Sequence, residues 1–154
     1  MTEDEIVQVA SGLPGAVVEM ASGAPEMAWG DSFIYYDPDG TIPPDRRMPF
    51  ATIVTSDYDG FDTDSNLNCP NVFRLNIEVG REAFHDLIGY EPIEHPDHHE
   101  QWDYAAADQL IPHPLYAKQA WVSIVNPGEA ADAQARSLLT DAHARAARRH
   151  RPRV

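Results

Sequence analysis

Cysteine occurs once, at Cys69, so no internal disulfide can form and a reducing, cytoplasmic setting is expected. Lysine also occurs once, at Lys118. No apolar run approaches the roughly 20 residues that a membrane span needs, and no membrane partner is expected. The opening Met-Thr-Glu-Asp-Glu is acidic where a secretory signal would be basic. The chain has no Gly-rich phosphate loop, no CxxC pair, no dinucleotide fingerprint and no G-x-S-x-G nucleophile element. Those absences remove the common signatures of nucleotide, redox and serine-hydrolase chemistry, and no cofactor is expected. No internal repeat is visible.

What is present is an acidic chain of ordinary globular composition. Its 154 residues are 43% hydrophobic and 23% charged, with a formal net charge of −14. That length suits one domain with one core, expected over 1–150 with a flexible basic tail at 151–154. The charge is uneven. From 133 onward six arginines stand against Asp141, which makes this end +5 and leaves −19 on the rest. Nucleic-acid affinity rests largely on attraction to phosphates, so an acidic body argues against a nucleic-acid partner. The terminal arginines suit the negative end of a helix dipole.

Hydrophobic spacing organises the chain. Thr2 and Glu5 have capping-box spacing before Ile6, Val9 and Ala10, and Gly12 with Pro14-Gly15 ends that helix. Strands are expected at Ala16–Ala21, at Glu26–Tyr36 with a break near Gly30, at Phe50–Thr55, at Asn71–Val79 and at Ala120–Val125. Ser22-Gly23-Ala24-Pro25 and Asp37-Pro38-Asp39-Gly40 read as turns, Ser56–Pro70 as a long acidic loop, and Glu91–Gln101 as a loop rich in His, Pro and acids. Short helices are expected at Glu82–Ile88 and Tyr104–Leu110. A long one follows Asn126-Pro127-Gly128, where Ala135, Leu138, Leu139, Ala142 and Ala146 form an apolar stripe. The order implies an α+β fold, a mainly antiparallel sheet with helices packed on one face. In Asn71–Val79, alternation turns Phe73, Leu75, Ile77 and Val79 one way and Arg74, Asn76 and Glu78 towards the open face.

Four segments carry a family resemblance. They are Ala28–Phe33 with Tyr36–Gly40, Pro49–Thr55, Phe73–Glu82, and Leu110–Gly128. In this order they resemble a bacterial family of uncharacterised proteins, domain of unknown function 6194. A more distant similarity is to the MmcQ/YjbR family, where a sheet region precedes a strand with a Trp after a basic residue and a C-terminal helix follows. That resemblance implies a CyaY-like fold and a double-wing mode of DNA binding. Here Lys118 and Trp121 occupy the corresponding place, with Gln119 and Ala120 between them.

Three groups of residues can carry chemistry. Arg74 and Asn76 share a strand face, where a guanidinium can grip a carboxylate and an amide can orient it. With Trp29, Tyr36 and Trp121 as walls and Lys118 nearby, they define an expected site for a small anionic metabolite. His113, between Pro112 and Pro114, is the candidate acid/base if the site is catalytic, and its plainer role is to cap a turn. His95, His98 and His99 are weak metal candidates without a helical ligand spacing, and no metal is expected. The remaining alternative is an interaction module, monomer or homodimer, that buries the sheet face.

Overall fold

The computed structural model describes residues 1–21, 30–43 and 46–150. The expected turn at 22–25, the first part of the expected second strand, Trp29 and the tail 151–154 lie outside the described residues. Helix α1 spans Glu3–Ser11, with the Thr2/Glu5 capping box formed and Gly12 as its C-cap. Strands β1 (Ala16–Met20), β2 (Ser32–Tyr36), β3 (Ala51–Val54) and β4 (Arg74–Glu78) follow, then α2 (Arg81–Ile88), β5 (Leu110–Pro112), β6 (Trp121–Val125) and α3 (Asp132–Arg149). The strands form one open sheet in the order β1-β2-β3-β4-β6-β5, with every neighbouring pair antiparallel.

Register separates the two faces. Ile34, Ala51, Ile77 and Val122 stand opposite one another across β2, β3, β4 and β6, and Ile53, Leu75 and Ile124 form the next row. These side chains are fully buried and meet Ile6 and Ala10 of α1 and Ala135, Leu139 and Ala142 of α3 in the core. Burying each large apolar side chain contributes about 1.5–3 kcal/mol. His143 on α3 sits at the edge of this layer. Its Nε2 lies 2.6 Å from the Pro14 carbonyl, and its ring meets Tyr36 edge-on. The helix-end arginines act locally, with Arg149 donating to the Glu78 carboxylate at 2.7 Å and Arg145 to the Glu78 carbonyl at 3.2 Å.

Three local expectations need correction. Tyr104–Leu110 is not a helix. Asp108 adopts a left-handed φ of 57°, and Leu110 begins an edge strand, β5, that the two prolines had obscured. Asp108 instead accepts the backbone N–H groups of Gly128, Ala130 and Ala131, tying this segment to the approach to α3. Within Glu91–Gln101, two 3-10 turns at Pro92–Asp97 and His99–Gln101 replace the irregular loop, the first begun by a Glu91/Glu94 capping box with Pro92 at its start. The sheet face of Arg74 and Asn76 is not open to water, because both residues are fully buried.

Candidate functional site

That second face is covered by two loops rather than by helices. Phe33, Thr52, Asn76, Ser123 and Ile111 form a continuous row across the sheet, and Val54 and Arg74 lie in the next row. Over these rows folds the acidic segment that follows β3. Its carboxylates and amides are used as turn builders. Asp57 Oδ1 accepts the Leu67 N–H at 2.7 Å, and the Asp57 N–H donates to Asn68 Oδ1 at 2.9 Å. Leu67 is thereby buried. Tyr58 donates its hydroxyl proton to Asp31, whose carboxylate also accepts the Thr55 N–H at 2.8 Å. Burial, followed by its bond to Asp31, pushes the Tyr58 hydroxyl well above its ordinary range, and burial raises the Asp31 carboxyl. The pair therefore holds its proton on the tyrosine at neutral pH.

Arg74 fastens the same loop from below. Its Nη1 and Nη2 grip both oxygens of Asp62 at 3.0 and 2.6 Å, Nη1 also reaches Ser65 Oγ at 3.0 Å, and Nε donates to Asn76 Oδ1 at 2.8 Å. Asn76 Oδ1 receives a second bond from Ser123 Oγ at 2.7 Å, and Asn76 Nδ2 donates to Thr52 Oγ1 at 3.0 Å. Arg74 thus serves a buried ion pair within a polar network, and its charge is matched inside the protein.

The other covering segment runs from β5 to β6. His113 lies one residue beyond β5 and donates its backbone N–H to the Trp121 carbonyl. Its Nδ1 accepts the N–H groups of Leu115 and Tyr116, both at 3.0 Å, which closes the turn. The lone pair of Nδ1 is committed to these donors, so the ring proton resides on Nε2. Burial, and secondarily the charge of Arg74, depress the imidazole well below its ordinary range. This side chain is a fixed neutral donor. It does not suit a general base, because Nε2 already carries its proton and a proton at Nδ1 would face two N–H groups.

Between sheet and loops lies a cavity of about 490 Å³, lined by Arg74, Asn76, His113 and Trp121 together with Phe33, Val54, Tyr58 and Tyr116. Its rim is apolar, with Met48 81%, Phe61 58% and Tyr116 42% exposed, three of the five large hydrophobic side chains that face solvent among the described residues. Sequence reasoning brought four of the lining residues into one list. It missed Tyr58 and Asp62 on the wall, and Ser65, which accepts from Arg74; their only signal was an acidic loop. Two expected members stand elsewhere. Tyr36 points to the helix side of the sheet, its ring edge-on to His143 and His150 at 5.4 and 5.3 Å. Strand alternation places it there, two residues from Ile34. Lys118 is exposed in the short turn Ala117–Gln119 and borders a separate depression with His95, His99 and Glu100.

The histidine cluster forms an aromatic hydrogen-bond network. Trp102 Nε1 donates to the Tyr90 hydroxyl at 2.8 Å, which pairs with His95 Nδ1 at 2.8 Å. Tyr104 lies 3.1 Å from His95 Nε2 and donates to the His99 carbonyl at 2.8 Å. His98 turns away and stacks on Tyr90 with 4.0 Å between ring centres. Burial, then the neighbouring His99 and His98, push His95 down to about 4. Among the described residues no group of three or more His, Cys, Asp or Glu side chains gathers as metal ligands.

Fold and site together define a single-sheet α+β protein with a loop-covered cavity on the face away from its helices. The chain belongs to a family of unknown function, DUF6194, whose model matches residues 1–154. No curated protein and no solved structure matches it. Among the described residues no helix is long and apolar enough to cross a membrane.

Proposed function

We propose that the protein is a small-molecule-binding domain whose ligand enters the cavity between the sheet and its covering loops. One observation carries this reading. Arg74, Asn76, His113 and Trp121 come from three separate stretches of sequence and line a single cavity of about 490 Å³, within the range of about 300–1,000 Å³ usual for ligand sites. Apolar walls around a few convergent polar groups are the ordinary composition of such a site. The enzymatic version, with His113 as acid/base, is disfavoured by the commitment of Nδ1 to two backbone donors.

A second reading, in which another copy of the chain covers this face, draws on the exposed Met48, Phe61 and Tyr116 at the rim. The finer fold reading, CyaY-like as in the MmcQ/YjbR family, draws support from the antiparallel sheet followed by a C-terminal helix. A DNA-binding role draws none from a net charge of −14.

A thermal-shift screen of metabolites and fragments on the wild type and on Gln119→Trp tests the proposal. Gln119 is exposed at the cavity rim, so the indole narrows the entrance without entering the core. Compounds that raise the wild-type midpoint should lose their effect in the variant. A screen without hits, together with a dimer in light scattering, would replace the ligand reading with the interaction reading.

A further inference from the structure

The chemistry of the cavity wall narrows the class of ligand, on the footing that the cavity binds one. Among the described lining residues Arg74 is the one cation and Asp62 the one anion. They are joined by two hydrogen bonds of 3.0 and 2.6 Å with Arg74 fully buried, so the wall offers no free charge. The two acceptor sites of Asn76 Oδ1 are filled by Arg74 and Ser123. Asn76 Nδ2 gives one hydrogen to Thr52 and retains a second.

His113 is 3% exposed, and its Nδ1 is occupied by Leu115 and Tyr116. Its Nε2–H has no hydrogen-bond partner among the described residues, and the side chain lines the cavity. A ligand acceptor in the cavity can take this hydrogen in place of water. The spare capacity of the two buried polar groups, Asn76 and His113, therefore consists of donors, set among the aromatic rings of Phe33, Tyr58 and Trp121, while the less buried Thr52, Tyr58, Tyr116 and Gln119 can also accept.

We infer that the cavity takes an uncharged molecule with a flat apolar body and a carbonyl-type oxygen, such as an amide, lactam or aryl ketone, and that His113 Nε2–H is the donor that reads this oxygen. A carboxylate would enter a desolvated site whose only cation is already neutralised, leaving its own charge uncompensated. An ammonium would find aromatic faces, but beside the buried Asn76 and His113 its N–H groups would meet donors. Aromatic rings from the sheet (Phe33, Trp121) and from the covering loop (Tyr58) suit a planar body.

The test is a ligand-observed NMR screen of matched triplets on flat aromatic frames, for example naphthamide, naphthoate and naphthylmethylammonium, against wild type and His113→Asn. The Asn carbonyl keeps an acceptor near the Nδ1 position for the Leu115 and Tyr116 N–H groups while removing the donor at Nε2. The expected result is that wild-type hits come mainly from the neutral carbonyl class and that His113→Asn weakens them about tenfold, the worth of one hydrogen bond. Hits dominated by carboxylates or ammoniums, or neutral hits indifferent to His113→Asn in a variant whose thermal midpoint shows it folded, overturn the inference and leave the binding function standing. The wild-type ranking decides the matter if the variant does not fold. Absence of hits in all three classes overturns the binding function and this inference with it.

Discussion

Replacing Asp62 by Asn tests whether the buried pair with Arg74 holds the acidic loop on the sheet. The substitution changes almost no volume, removes one charge and presents an amide N–H where Arg74 offers N–H groups of its own. Arg74 is fully buried, and Asp62 is 6% exposed. Two bonds, of 3.0 and 2.6 Å, join them. Removing one partner of such a pair strands a charge in the interior and costs about 3–5 kcal/mol. For a chain of this size that corresponds to a fall of roughly 6–20 °C in the thermal midpoint. Urea denaturation followed by circular dichroism measures the loss directly. The Arg74→Met/Asp62→Leu double variant should recover more than half of it, because the stranded charge is gone and Asn76 Oδ1 keeps its bond from Ser123. A cost for Asp62→Asn of less than about 1 kcal/mol, the worth of an exposed pair, would refute the claim that this loop is fastened from below.

Further consequences concern other parts of the molecule. His95 titrates at about 4 in the folded protein against an ordinary 6.5. The unfolded chain therefore binds the extra proton first, and the stability from keeping this ring neutral is complete above about pH 6.5 and is lost as pH falls towards 4. Thermal midpoints measured across that interval should decline, less steeply in His95→Gln. Leu139→Ala, at a fully buried position facing the sheet, should cost about 2–5 kcal/mol in denaturant unfolding. Gly80 has φ 90°, and an added Cβ would lie 2.6 Å from the Arg145 guanidinium. Gly80→Ala should therefore cost about 1–3 kcal/mol, and an unchanged midpoint would contradict the conformation assigned to the start of α2.

The parts of the fold that could be read from the chain are those governed by local rules. Thr2 and Glu5 cap α1 because a hydroxyl and a carboxylate three residues apart reach each other's backbone N–H. The spacing of Ala135, Leu138, Leu139 and Ala142 needs only the helical period to form one buried face. Tyr104–Leu110 misled because three consecutive alanines favour helix, whereas the tie from Asp108 to Gly128, Ala130 and Ala131 spans some twenty residues and leaves no local trace. Likewise Tyr36 has the composition of a pocket wall, but its place depends on the pairing register of β2, which turns it towards α3.

The sequence by itself determined that β4 has two unlike faces, Leu75 and Ile77 on one and Arg74 and Asn76 on the other, because side chains alternate along any strand. It also brought His113 and Trp121 into question with them. Only the tertiary structure decided that the polar face is roofed, that Asp62 cancels the charge of Arg74, and that His113 turns its Nδ1 to the backbone. These outcomes depend on where a loop with many possible paths comes to rest. The burial of Leu67, the Asp31–Tyr58 bond and the Arg74–Asp62 pair select that path together, and none of them is a property of a local stretch of chain.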